Sequence, residues 1–189
     1  MTINLTRRVA NAALLLVALG ATGAAAAPAA PVQLMANTPL PADPGPAGKA
    51  TLAGVDDNRN GVRDDMEAFL HQYFGGKPRL LRAMTNTIIG LQATINASTP
   101  VQSARAQLMT IRATECLMAL KGELVSDAAR DAHMVALLVN TPARSAAIAA
   151  HQARISGQTF TMRELDEWET ACDLRADLIG DPLALPPTP

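Results

Sequence analysis

The feature that most constrains the fold is a series of apolar stripes at helical spacing, separated by residues that end helices. In the clearest stripe the apolar positions recur every three or four residues, as one face of an α-helix requires: these are Leu81, Met84, Ile88, Leu91 and Ile95. Gly, Pro and Ser/Thr clusters separate this stripe from its neighbours. We find no convincing strand pattern. The sequence therefore predicts an all-α fold, a small bundle of about six helices.

The predicted helices cover residues 64–74, 79–97, 101–121, 126–140, 142–155 and 161–181. Only 3% of the residues are aromatic, so Leu, Ile, Val, Met and Ala must form the core. The last helix has the clearest predicted start, because Thr161 and Glu164 match a capping box and Phe160 and Leu165 match a hydrophobic staple. Its predicted apolar stripe consists of Leu165, Trp168, Cys172, Ala176 and Ile179.

The first 26 residues have the pattern of a secretory signal peptide. Arg7 and Arg8 form a short basic segment, residues 12–18 are apolar, and Ala26 ends a run of small residues suited to cleavage. The alternative, an uncleaved membrane anchor, is disfavoured because the apolar run is short for a bilayer. The sequence therefore predicts an exported chain, periplasmic or secreted, with no membrane span after cleavage.

Three further segments follow the predicted signal peptide. Residues 27–54 are rich in Pro, Ala and Gly and predict an extended, mobile leader. Residues 55–181 form the predicted helical domain, and residues 182–189 form a loose, proline-rich tail. No basic patch stands out, so nucleic acid is not an expected partner.

Two cysteines, Cys116 and Cys172, are the only ones in the chain. In an exported protein an even cysteine count favours a disulfide. Both fall on the apolar stripes of their predicted helices, which also favours pairing. The alternatives are two free buried thiols or a redox pair, and a redox pair usually has the two cysteines close together in sequence.

The segment with the most specific chemistry is residues 56–67, which we call the acidic loop. It matches the pattern D-x-[DN]-x-[DN]-G-x5-E at every fixed position. Calcium binds six to eight oxygens, and this spacing directs alternate side chains inward while Gly61 permits a sharp turn. The alternative is an Asp/Asn-rich turn that only caps the next helix. The predicted calcium ligands are Asp56, Asn58, Asn60, Asp64, Glu67 and the main-chain carbonyl of Val62.

The acidic loop resembles a single EF-hand-type loop, of the loop-helix kind seen in dockerins and other secreted bacterial calcium modules. The resemblance extends from Asp56 to about residue 74. Two departures stand out: the leader replaces the incoming helix, and Arg63 occupies a position that is usually apolar in paired loops. No second loop is present. The resemblance therefore implies one structural calcium ion, bound with a dissociation constant of roughly 10⁻⁵ to 10⁻³ M, rather than a calcium switch.

Other candidate sites have weaker patterns. His71, His133 and His151 lack the spacing of a zinc-binding helix, so surface or partly buried positions are expected. The methionines at helical spacing, which could suggest copper, are more typical of core residues. No sequence motif of a common enzyme class is found.

The sequence leaves the biological activity open between three hypotheses. The first is an exported binding or interaction module with a possible protein partner and one structural calcium loop. The second is an enzyme whose site residues are not recognisable by pattern, which would require a concave pocket with convergent polar groups. The third is a subunit or chaperone-like partner of an envelope complex, which would require a contiguous exposed apolar patch. The first is favoured, and enzymatic activity is left undecided.

Overall fold

The computed structural model describes residues 39–120 and 122–172, and within them all regular secondary structure is helical, with no β-strand. The predicted all-α fold is confirmed. The predicted signal peptide and tail, and the helix predicted beyond Cys172, lie outside the described residues. The α-helices are α1 (Asp64–Phe74), α2 (Pro78–Asn96), α3 (Pro100–Ala119), α4 (Ala128–Leu138) and α5 (Pro142–Ile155), with 3-10 helices at Ala47–Lys49 and Leu165–Cys172.

Helix α2 lies at the centre of the bundle and contacts α1, α3, α5 and the second 3-10 helix. Its predicted stripe is buried except at Leu91, which is half-buried. The closest approach is to α3 at Gly90, where an added Cβ would lie 3.1 Å from the Thr110 backbone nitrogen. The core follows the predicted composition, with few aromatic residues: Val62, Met66, Phe69, Leu70, Phe74, Leu80, Leu81, Ala83, Met84, Ile88, Ile89, Met109, Cys116, Leu120 and Ala171.

Side-chain caps fix the starts of three helices; at α4 the Asp127 carboxylate accepts hydrogen bonds from the Ala129 and Arg130 backbone N–H groups. The predicted N-cap of α5 is confirmed, because the Thr141 hydroxyl accepts a hydrogen bond from the Arg144 backbone N–H and Pro142 takes the first helical position. A full capping box occurs at the start of α3: the Thr99 hydroxyl accepts a hydrogen bond from the Gln102 backbone N–H, and the Gln102 side chain accepts one from the Thr99 backbone N–H. The sequence analysis placed the capping box at the last helix instead.

The prediction for the start of that last helix is wrong. Residues 161–164 are not helical, and residues 165–172 form a 3-10 helix rather than an α-helix. The reason is a tertiary contact together with a local one. The Arg163 backbone N–H donates to the Glu115 side chain of α3 at 2.7 Å. The Trp168 indole N–H donates to the Arg163 carbonyl, five residues earlier, at 2.9 Å. Leu165, predicted to be in the apolar stripe, is 71% exposed.

Two predictions of burial also need correction. Val135 was assigned to the apolar stripe of α4 but is mostly exposed, whereas Arg130 on that helix is buried against the Phe74 ring. His151 was expected at or near the surface but is fully buried on α5. Burial lowers the pKa of His151, and the charge of Arg154 lowers it further. The neutral ring therefore suits this interior position.

The predicted disulfide between Cys116 and Cys172 is confirmed. It joins α3 to the second 3-10 helix.

The adjacent residue on α3, Glu115, is also fully buried, and it accepts hydrogen bonds from the Arg163 backbone and guanidinium and from Arg112. Burial alone would raise the pKa of Glu115. The bonds from Arg163 and the charges of both arginines outweigh it, so this pKa is held below its usual 4.5.

We therefore expect Glu115 to make the stability of the protein depend on acid pH. Because its folded-state pKa is lowered, its contribution is present above the unfolded-state value and is lost as pH falls through the lower, folded-state value. Urea unfolding of the wild type and Glu115→Gln should show a stability difference at pH 7 that shrinks below about pH 4.5. A difference that stays constant down to pH 3 would contradict this prediction.

Residues 39–54, the described part of the predicted leader, are attached to the helical domain. They include a 3-10 turn, and three of their backbone carbonyls, those of Gly48, Thr51 and Leu52, accept hydrogen bonds from the Arg144 guanidinium at 2.7 to 3.1 Å. Arg144 is fully buried on α5.

No helix within residues 39–120 and 122–172 is long and apolar enough to cross a membrane.

Candidate metal site

The acidic loop enters the bundle directly before α1 and shares its last four residues with the first turn of that helix. Its backbone turns sharply at two positions, Arg59 with φ +57° and Gly61 with φ +85°. A positive φ costs little at glycine and more at arginine, so Gly61 suits this turn for a steric reason. The Asp64 backbone N–H closes the loop by donating to the Val55 carbonyl at 3.0 Å.

Asp56 organises the first half of the acidic loop. One carboxylate oxygen accepts from the Asn60 backbone N–H at 3.1 Å, and the other accepts from the Gly61 backbone N–H at 2.9 Å. Further along, the Asn60 side-chain oxygen accepts from the Val62 backbone N–H at 2.9 Å. The side chains of Asp56 and Asn60, two of the predicted ligands, therefore bond to the backbone of the turn.

Glu67 brings the two halves of the loop together. Its carboxylate accepts hydrogen bonds from the side-chain amides of Asn58, at 3.1 and 3.3 Å, and of Asn60. Glu67 is buried, as is Val62, while Asn60 is half-buried. A rotation of each Asn amide by half a turn would direct its oxygen to the same point near Glu67. Three of the predicted ligands thus converge.

Asp64 supplies an unpaired oxygen in the same loop. Its Oδ1 accepts from the Asp57 backbone N–H at 3.2 Å, whereas its Oδ2 is buried and has no hydrogen-bond partner. A buried, unpaired carboxylate oxygen is costly in a native protein and is typical of a place where an ion or a water molecule binds. Asp64 is 1% exposed.

The carboxyl groups of the acidic loop repel one another. Burial raises the pKa of Asp64, and the negative charges of Asp57, Asp56 and Asp65 raise it further. Burial also raises the pKa of Glu67, with smaller contributions from Asp64 and Asp56. Burial is the main cause of both shifts and neighbouring negative charge adds to it, so a bound cation would favour the ionised form of both carboxyl groups.

The carboxylates themselves are not gathered into a compact cluster. Among residues 39–120 and 122–172, no group of three or more His, Cys, Asp or Glu side chains is arranged to hold a metal ion. The groups that meet at Glu67 are amides, and Asp56 is bonded to the loop's own N–H groups. The structure therefore brings Asn58, Asn60 and Glu67 together and leaves Asp56 and Asp64 bonded to the loop backbone.

One residue at this site was missed in the sequence analysis. Gln92 on α2 is buried, and its side-chain amide bonds to both sides of Val62: the Arg63 backbone N–H donates to Oε1 at 3.1 Å, and Nε2 donates to the Gly61 carbonyl at 3.1 Å. The sequence does contain an indication of this role, because Gln92 lies four residues after Ile88 and so falls on the predicted apolar face of α2. A polar residue at a buried position is informative.

Arg63 was noted in the sequence only as a departure from paired loops. In the structure it is buried; its guanidinium forms an ion pair with Asp65 and donates to the carbonyls of Leu137 and Leu138 at the end of α4. A cation at a helix C-terminus is favourable, because the unpaired carbonyls carry partial negative charge. Arg63 therefore fixes the acidic loop to α4.

Comparison with protein-family models, with curated proteins and with solved structures finds no match to this chain.

Proposed function

We propose that this protein is an exported helical binding or interaction module in which the acidic loop binds one calcium ion with a structural role. The observation that carries the proposal is the buried, unpaired Oδ2 of Asp64, in a loop whose other predicted ligands are also oxygen atoms. Hard oxygen ligands in a flexible loop suit calcium better than zinc or copper. Burial raises the pKa values of Asp64 and Glu67, and a bound cation would keep both carboxylates ionised.

The proposed role is structural because the loop is attached to three parts of the fold. It leads directly into α1, Gln92 attaches it to α2, and Arg63 attaches it to α4. Calcium would neutralise the charge of the loop and hold these attachments together. Export to a compartment rich in calcium, as the predicted signal peptide implies, would keep a site of roughly 10⁻⁵ to 10⁻³ M affinity occupied.

Calorimetric titration of residues 27–189 with calcium tests the proposal. We expect binding heat for the wild type and a rise in stability of about 2.7 kcal/mol at a calcium concentration 100 times the dissociation constant. Glu67→Gln should weaken binding by at least tenfold, because it removes the charge of the predicted bidentate ligand. Glu123→Gln is the matched control, since Glu123 is exposed and pairs with Arg79 away from the loop.

Two results would reject calcium binding at this site. One is the absence of both binding heat and a change in melting temperature for the wild type. The other is equal weakening of calcium binding by Glu67→Gln and Glu123→Gln, which would indicate a nonspecific charge effect rather than a site.

A further inference from the structure

The two hydrogen bonds of Gln92 reproduce, with one side chain, the donor–acceptor pattern that a β-ladder offers. In a ladder, the C=O of one residue and the N–H of the residue two positions later face the same neighbouring strand. Here those groups belong to Gly61 and Arg63, and the neighbour is the amide of Gln92, with both bonds at 3.1 Å. A primary amide offers the same acceptor and donor as a peptide group, so it can replace a partner strand.

Val62 lies between these two bonded positions and is fully buried. Its side chain belongs to the hydrophobic core cluster that also includes Met66 and Leu70, and its carbonyl is the predicted main-chain ligand of the acidic loop. Because the preceding C=O and the following N–H are both fixed, the peptide planes on either side of Val62 have little freedom to rotate. The direction of the Val62 carbonyl is therefore set by a residue outside the loop.

Gln92 is itself held on a rigid element. It lies on α2, two residues after Gly90, where α2 makes its close approach to α3. Its side chain is 8% exposed, so water competes little for its hydrogen bonds. The acidic loop thus gains its support from the centre of the bundle. A single EF-hand-type loop without a second loop has no other neighbour for these backbone groups.

We propose that Gln92 is a positioning residue for the calcium site, one that takes the place of a second, paired loop by fixing the backbone on both sides of Val62. This inference rests on the proposed function. It explains how one loop can be ordered without a paired partner, and it couples calcium binding to α2. Outer partners that orient metal ligands typically affect metal affinity by 10- to 100-fold when they are removed.

Calcium titration of Gln92→Leu tests the inference, with Thr85→Val as the control. The Leu variant keeps the size of the side chain and removes both bonds. Thr85 is equally buried on α2, and its hydroxyl donates to the Leu81 carbonyl without touching the loop. We expect Gln92→Leu to raise the calcium dissociation constant by about 10-fold or more. Thr85→Val should lower the melting temperature but leave calcium affinity within about twofold.

Amide hydrogen exchange without calcium provides a readout that does not depend on binding. The Arg63 backbone N–H should exchange faster in Gln92→Leu than in the wild type, and its rate should be unchanged in Thr85→Val. Gln92→Asn serves as the second variant should the Leu variant not fold. It keeps the polar group but is one methylene shorter, so it cannot make both bonds, and it should also weaken calcium binding.

The outcomes separate this inference from the proposed function. Wild-type calcium affinity in a folded Gln92 variant, or unchanged exchange at Arg63, would overturn the positioning role alone. Equal loss of affinity in Gln92→Leu and Thr85→Val would also overturn it, because it would reflect a general loss of stability. Absence of calcium binding by the wild type would overturn both.

Discussion

Replacing both Cys116 and Cys172 with alanine should lower the free energy of unfolding by about 4 kcal/mol in the chain-entropy model. The disulfide joins residues 56 positions apart, so it removes a large number of conformations from the unfolded chain. It also attaches the 3-10 helix Leu165–Cys172 to α3, and a short 3-10 helix has little stability of its own. Urea unfolding of the wild type and the double variant measures the difference.

The proposed calcium site provides an internal control for this prediction. Residues 56–67 lie outside the loop that the disulfide closes, so the folded double variant should keep wild-type calcium affinity. Reduction of the wild type should reproduce the loss of stability. Equal urea midpoints for the oxidised wild type and the double variant would show that the Glu115 bonds to Arg163 are sufficient to hold the 3-10 helix.

Replacing Arg144 with methionine should lower the free energy of unfolding by about 3 kcal/mol, because it leaves four hydrogen-bond acceptors without the buried cation that donates to them. The fully buried guanidinium donates to the carbonyls of Gly48, Thr51 and Leu52 and to the Asn140 side chain. Burial lowers the pKa of Arg144, and so does the nearby charge of Arg63, which shows that holding this cation inside the protein is costly. Methionine fills similar space but offers no donor.

The effect of this substitution should be localised as well as large. Amide exchange within residues 47–54 should increase strongly, since that segment loses its main attachment to α5. The control is Arg154→Met on the same helix, which removes a single bond to the Ala97 carbonyl and should cost about 1 kcal/mol. Similar losses of stability in the two variants, or unchanged exchange in residues 47–54, would contradict the assignment of Arg144 as the anchor of this segment.

The helices that the sequence predicted well are those with a dense apolar stripe and a local stop signal. The bounds of α1 and the end of α5 agree with prediction, and α2 and α3 differ by one or two residues at each end. The information there is local: spacing decides which face is buried, and Gly, Pro or a Thr cap decides where the helix ends. The same information failed at Thr161, because Glu115 on α3 bonds to the Arg163 N–H.

The candidate site likewise has a part that local sequence predicts and a part that only the tertiary structure reveals. The spacing of the acidic loop was sufficient to place Asn58, Asn60 and Glu67 together, since they lie within one turn and the start of one helix. Gln92 is about thirty positions further along, and Arg144 is further still, so no local pattern connects either residue to its partners. Their roles depend on which helices pack together.

The sequence by itself predicted the helical class, the pairing of the two cysteines and the turn of the acidic loop, because helical periodicity and loop spacing are short-range properties and two cysteines offer only one pairing. Only the tertiary structure decided that residues 48–52 are held by a buried arginine, that the last described element is a 3-10 helix, and that a glutamine from α2 supports the loop. These outcomes depend on satisfying the hydrogen-bonding groups that packing removes from water. The partners that do so are distant in sequence.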